Sequence, residues 1–286
     1  MATLHVVATP IGNLEDVTLR ALRVLREADV VLAEDTRRTR ILLERHGIAT
    51  RPRSLHAHNE AARTGEALAA LRAGQDVALV SDAGTPLVSD PGARLVEAAL
   101  AEGHTVSPVP GASAVLAALT VSGLGGGGFT FLGFLPRRAG ERSALLARHR
   151  SAALPIVLFE SPHRLAATLR ALREALGDRP ACVARELTKL HEEVARGLLS
   201  ELAERFAAGA RGEVTIVVSG ELPSRAREES PAAGPEESGP TDLDARIRSL
   251  LDEGRTPREV AARLAKAAGV PKRDVYARCL ALRGSA

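Results

Sequence analysis

Three short stretches of this 286-residue chain put residues that can move protons or hold anions directly behind apolar runs. The first is Glu34-Asp35-Thr36-Arg37-Arg38-Thr39-Arg40. The second is Phe159-Glu160-Ser161-Pro162-His163-Arg164, and the third is Arg185-Glu186-Leu187-Thr188-Lys189. A carboxylate in such a place can work as a general acid or base, or it can simply pair with a neighbouring arginine. Lys189 stands apart. It is the only lysine before Lys266 and Lys272, and the rest of the 38 basic residues are arginine. Desolvated beside arginines, it can titrate low enough to accept a proton; it can equally hold a phosphate or an acidic neighbour. His56 and His58 precede Asn59 two apart and can touch a substrate, but they complete no metal-ligand set. Cys182 and Cys279 are too few for a disulfide framework or a zinc cluster, which makes a reducing cytoplasm the expected compartment.

These stretches need elements to position them, and the pattern supplies alternating ones. Strands are predicted over 4–8, 30–33, 77–80 and 105–109. Helices are predicted over 14–27, 39–46, 59–73 and 112–120, and over 91–102 with Asp90 as its cap. Alternation of this kind means a mostly parallel sheet with helices on its faces. Ligands then sit beyond the C-terminal strand ends. Three loops there are rich in small residues: Thr9-Pro10-Ile11-Gly12, the run from Ser81 to Gly92 (SDAGTPLVSDPG), and Pro110-Gly111-Ala112-Ser113. The loop after the first strand is a tight turn without the GxGxxG spacing, and no GxxxxGK[ST] occurs, which argues against a dinucleotide fingerprint there and against a phosphate-loop NTPase.

The four glycines at 125–128 are predicted to separate residues 1–124 from a second α/β domain over 125–220. There the pattern gives strands over 129–134, 156–160, 181–185 and 214–219, with helices over 141–150, 163–176 and 199–208. Residues 221–240 hold five acids, two arginines and much Pro, Ser and Gly, and read as a disordered linker. Residues 241–286 carry ten basic and six acidic side chains and read as three short helices, either a helix-turn-helix module or a bundle that docks on a protein. No run is long and apolar enough for a membrane helix, and no secretory signal is visible. Five phenylalanines, one tyrosine and no tryptophan argue against a single-strand binder built on a row of aromatic platforms.

In order along the chain, TPIGNLEDVTLRAL, AEDTRRT, HNE, SDAGTPLVSDPG, PVPGASA, FLGFLPRR, FESPHR, RELTKLHEE and GEVTIVVSG resemble the bacterial ribosomal RNA small subunit methyltransferase I family. That family is a branch of the tetrapyrrole methylase-like, class III S-adenosylmethionine methyltransferases. The resemblance covers residues 4–220 and, more loosely, the basic tail. It implies two α/β domains of the tetrapyrrole methylase type with S-adenosylmethionine in the cleft between them, a small C-terminal helical module, and a homodimer. Carried over by motif, Pro10, Ile11 and Gly12 would lie beside the cofactor. Asp82, Gly84, Thr85, Leu87 and Val88 would line its methionine and ribose side. Gly111, Ala112 and Ser113 would add contacts, and Phe159 and Glu160 would enter from the second domain.

The reaction so implied methylates the ribose 2′-hydroxyl of a cytidine in the decoding region of 16S rRNA, within the small ribosomal subunit. Aligning oxygen, methyl and sulfur is the enzyme's main task, and no metal is needed. The hydroxyl is a poor nucleophile, so a base or a cation should assist. Lys189 is the first candidate, with Glu34, Asp35, Glu160 and Glu186 as alternatives. RNA phosphates would meet Arg37, Arg38 and Arg40 on one side and Arg137 and Arg138 on the other. Arg164, Arg185, Lys266, Lys272 and Arg273 complete that set. Two other readings remain: a tetrapyrrole methyltransferase of the same fold, and a non-catalytic ribosome-binding factor.

Overall fold

A computed structural model describes residues 2–221, 240–252, 255–268 and 270–283. The chain divides into two compact units, Met1–Pro223 and Ser224–Ala286. In the first unit, β1 (Thr3–Val7), β2 (Val30–Ala33), β3 (Arg53–Ser54), β4 (Val77–Val80) and β5 (Thr105–Val109) form one sheet. Its strand order is β3-β2-β4-β1-β5, and every pairing is parallel. All five C-terminal ends therefore lie along one edge.

Period-two alternation sorts the core. Val31 and Ala33 of β2, with Ala78 and Val80 of β4, face α1 (Leu19–Glu27) and α2 (Thr36–Arg45). Val30, Leu32, Val77 and Leu79 face α3 (Glu60–Arg72) and α4 (Ala93–Ala101). Each such aliphatic side chain taken fully from water is worth roughly 1.5–3 kcal/mol, so both helical layers are held firmly.

The second sheet takes β6 (Thr130–Phe134), β7 (Ile156–Glu160), β8 (Pro180–Arg185), β9 (Glu193–Leu198) and β10 (Val214–Val218) in the order β6-β7-β10-β8-β9. Only β6 and β7 run parallel. One face packs on α6 (Ala139–Ala147), α7 (Leu165–Leu176) and α8 (Leu199–Arg205). The other packs on α5 (Ala114–Ser122), whose Val115 and Ala118 meet Val157, Cys182 and Val217. Thus α5, which precedes the glycine run, joins the two sheets.

Three local differences from the sequence pattern matter. The helix expected over 14–27 breaks into a 3-10 turn at Leu14–Asp16 and α1, because the Thr18 hydroxyl caps Ala21 N at 3.1 Å. The helix expected from Pro91 starts two residues later. Gly92, at φ +119, is the N-cap of α4, and Asp90 is released from capping. Strand β9 was hidden because it is a half-exposed sheet edge with charged, alternating residues.

The second unit packs α9 (Pro240–Asp252), α10 (Pro257–Ala268) and α11 (Lys272–Arg283) around Ile247, Val260, Ala261, Val275 and Cys279. Three helices therefore stand where three were expected. The expected linker falls almost wholly outside the described residues. No helix among the described residues is long and apolar enough to cross a membrane.

Candidate active site

A cavity of about 500 Å³ lies between the two sheets, beyond the C-terminal ends of the first. Two of its loops are laced together. Thr9 N donates to Gly84 O at 2.8 Å and Gly84 N to Thr9 O at 3.0 Å, while Thr9 Oγ1 donates to Ser81 O. Gly84 sits at φ +78, where an L side chain is strained. The Thr85 hydroxyl donates to Ala112 O at 3.4 Å, tying the third loop to the second. Ser113 caps α5 through Leu116 N, so the first turn of that helix, Ser113 to Val115, opens onto the cavity. The opposite wall is Phe134, Phe159, Ser161, Ala184 and Leu187, with the stretch 212–215.

Charge is distributed unevenly over these walls. Glu34, Asp82 and Asp90 line the first-sheet side together with Arg38. Asp82 is held by the Asp35 backbone N–H at 2.7 Å. The Arg38 guanidinium lies 3.9 Å from Asp82 and 3.7 Å from Glu213 on the far side. Burial raises the Asp90 carboxyl to about 6; a hydrogen bond with Ser81 opposes the rise and the Asp82 charge adds to it. Burial also raises Glu34, with Asp82 and Asp90 reinforcing the shift. Both groups line the cavity, and Asp90, raised to about 6, is ionised above that pH, the state in which a carboxylate can accept a proton as a general base.

The loop after β8 is a different kind of structure. Lys189 Nζ donates to Glu186 Oε1 at 2.9 Å and to Glu213 Oε2 at 3.0 Å. Burial alone would lower the Lys189 pKa, but those two hydrogen bonds outweigh it and raise it. Glu186 moves down, first through the hydrogen bond from Lys189 and then through the Glu213 backbone N–H. Lys189 therefore keeps its proton, and the expected role as base does not fit its surroundings. The neighbour reading, an acidic partner for Lys189, matches the geometry.

Other expected bases are also committed. The Arg37 guanidinium, through its side-chain hydrogen bond, holds Asp35 down at about 2. Glu160 is buried, accepts Thr168 Oγ1 at 2.6 Å and Ser161 N at 2.7 Å, and pairs with Arg164 at 3.3 Å. Of the five, only Glu34 and Glu160 line the cavity, and Glu160 is fully occupied.

Of the residues expected at the cofactor, the cavity gathers Ile11, Asp82, Gly84, Thr85, Val88, Ser113, Phe159 and Glu160. Pro10, Gly12, Leu87, Gly111 and Ala112 do not line it. Gly12 faces the β8 loop, where a Cβ would collide with the Lys189 side chain and come within 2.9 Å of Thr188 Oγ1. Gly111 lies against Ala8, with room for a Cβ only at 3.1 Å. Ser89, Asp90, Phe134, Ser161 and Glu213 line the cavity without having been expected. Leu87 and Ser89 at φ +72 and +73 frame Val88; no residue type in the sequence announces that strain.

The expected RNA contacts divide in the same way. Arg40, Arg137 and Arg138 are exposed, although Arg138 pairs with Glu141 at 3.0 Å. Arg37 is exposed and bound to Asp35. Arg164 reaches Leu135 O and Glu160, and Arg185 reaches Glu193 at 2.5 Å, so both serve the fold and do not face a phosphate. Lys272 and Arg273 are exposed at the start of α11; Lys266 lies on α10, its side chain outside the described set.

The pattern of the Tetrapyrrole (Corrin/Porphyrin) Methylases matches residues 3–203. The chain belongs to this family. Within it, a protein of Mesorhizobium japonicum named ribosomal RNA small subunit methyltransferase I is 46% identical over 283 residues, 98% of this chain and 92% of that one. A protein of the same name from Thermotoga maritima is 49% identical over 221 residues, which make up 77% of this chain and 99% of that one. The chain is a member of that branch. The fold is shared with uroporphyrin-III C-methyltransferase from Thermus thermophilus, solved with S-adenosylhomocysteine, at TM-score 0.55 and 23% identity, covering 76% of this chain and 97% of that one. As a tetrapyrrole methylase, the chain is an S-adenosylmethionine-dependent methyltransferase. Its cavity fits that cofactor. The volume is in the range that holds a small ligand, glycine and alanine backbone can approach closely, and the carboxylate of Asp82 suits a cationic ligand.

Proposed function

We propose that this chain methylates the ribose 2′-hydroxyl of a cytidine in the decoding region of 16S rRNA, acting on the assembled small ribosomal subunit. What carries the reading is one cavity whose inner wall fits the cofactor and whose first-sheet wall holds Asp90 and Glu34, two carboxyls that burial raises. Relatives that share 42–49% of their residues with it bear the ribosomal RNA name, whereas the tetrapyrrole enzymes of the same fold share about half that.

S-adenosylmethionine, when bound, supplies an electrophilic methyl group on a sulfonium. Ile11, Gly84, Thr85, Val88 and Ser113 would hold it, with Phe159 closing the second-sheet side. Asp90, or Glu34 beside it, takes the proton from the attacking hydroxyl, and Arg38 favours the charged form of Glu34. The apolar wall of Val115, Ala184 and Leu187 excludes water from the reacting atoms. Exposed Arg40, Arg137 and Arg138 meet phosphates. A homodimer working in the cytoplasm, where its subunit substrate is, completes the reading.

The test is transfer of a labelled methyl group to unmethylated small subunits, to naked 16S rRNA and to a porphyrinogen, followed by nuclease digestion and mass spectrometry. Label in 2′-O-methylcytidine from subunits is expected. Label on the porphyrinogen would keep the cofactor site and overturn the RNA substrate. Cofactor binding with no label on any RNA would favour a binding factor.

A further inference from the structure

Aromatic side chains are rare in this chain, yet three of the five phenylalanines meet on the second sheet, and two of them, Phe134 and Phe159, line the cavity. Phe131 and Phe159 pack edge to face with centroids 5.0 Å apart, and Phe134 tilts against Phe159 at 5.6 Å. Residues three apart on a regular strand point to opposite faces. Phe131 and Phe134 share a face because β6 carries a bulge. Phe131 pairs with Val157 and Phe134 with Phe159, so β6 spends one more residue than β7 over the same step. Gly133, at φ +62, makes the bulge, and the space beside it is taken by Ser89 Oγ of the strained loop opposite. Bulges of this kind re-aim a side chain next to a site.

The re-aimed ring is not buried. Phe134 is 55% exposed at the cavity, braced from behind by Phe159. Three and four residues on, Arg137 and Arg138 stand exposed. A cofactor adenine needs an enclosed wall, since small ligands bury most of their surface. An open ring at the rim, followed by two cations, suits the part of a substrate that arrives from outside and carries phosphates beyond a flat base. The scarcity of aromatics excludes a row of stacking platforms, but one methylated nucleotide needs only one.

We infer that Phe134 is the platform on which the base of the target nucleotide stacks, positioning its ribose at the cavity. This rests on the RNA reading above.

Phe134→Ala, Phe134→Leu and Phe134→Tyr would be assayed with small subunits under varied subunit concentration, with S-adenosylmethionine affinity measured by calorimetry for each. Loss of one base–aromatic stack should lower kcat/KM for Phe134→Ala by about 10- to 100-fold, while Phe134→Tyr stays within about threefold of wild type. Phe134→Leu, which keeps bulk but no ring, should resemble alanine. Cofactor affinity should stay level across the series. The inference is overturned if alanine leaves kcat/KM unchanged, if leucine matches tyrosine, or if cofactor affinity falls in step with activity, which would make Phe134 an adenine wall. A wild-type chain that labels no subunit RNA overturns the substrate reading, and the platform with it.

Discussion

Among the described residues, two loops hold non-glycine residues at positive φ, and they are built for opposite purposes. The loop after β4 has Leu87 and Ser89 in that conformation; the loop after β8 has Glu186 and Thr188. Such strain persists only where surrounding structure enforces it, and it concentrates at functional places. In the first loop, the strain delivers Asp90 to the cavity wall, hydrogen-bonded with Ser81 and with its carboxyl raised by burial to about 6. In the second, every charged group is answered. Lys189 bridges Glu186 and Glu213, Thr188 N donates to Glu192, and Gly12 of the first sheet's loop nests against the turn. Strain beside a carboxyl that keeps a raised pKa marks chemistry. Strain with every charge met marks a clasp, here one that holds the β1 loop to the second sheet.

The comparison breaks first at Asp90. Asp90→Asn should lower the single-turnover rate by about 100-fold or more, the scale of a lost general base, and leave cofactor affinity within about threefold. Equal losses in both would make Asp90 a cofactor ligand. Gly12→Ala tests the clasp. The added methyl group has nowhere to go, and overpacking of this kind costs about 1–3 kcal/mol, read as a lower midpoint in denaturant. An unchanged midpoint would mean that the β8 loop is free to move.

Lys189→Met leaves Glu186 and Glu213 without their shared cation. The pair is partly exposed, so the loss should be about 1 kcal/mol and lower Tm by about 2–4 °C, with the rate within about fivefold of wild type. A collapse of the rate at unchanged Tm would restore Lys189 as the base. The smallest effect is on stability against pH. The folded pKa of Asp90 is raised above its unfolded value, so its contribution is full below about pH 4 and lost as pH rises through about 6. Asp90→Asn should therefore gain a few degrees in Tm relative to wild type at about pH 7 and nothing at about pH 4. Asp35, held down at about 2 by Arg37, runs the other way: its contribution is present above its unfolded value and fades as pH falls toward 2.

Much of the scaffold was legible because buried strands leave continuous apolar runs; the spans of β2, β4 and β7 all match the pattern. Strand β9 was not, because an edge strand has no buried signature. In the candidate site, the small-residue loops at the strand ends are among those that line the cavity. What stayed hidden was which charged residues are satisfied. Asp90 resembled an ordinary helix cap until Gly92 took that place, and Lys189 resembled a reactive lysine until Glu213, 24 residues on, closed over it. Pairing across the fold is a tertiary property with no local trace. The bulge that turns Phe134 outward is hidden for the same reason, since it is defined by register against β7.

The most direct test of the account is the single-turnover rate of methyl transfer to small subunits from about pH 5 to about pH 8, for wild type and Asp90→Asn. The wild-type rate should rise with pH through about 6 as Asp90 ionises, and the variant should be slow and without that limb. A variant that keeps both the wild-type rate and its acid limb would contradict the assignment of proton transfer to the first loop.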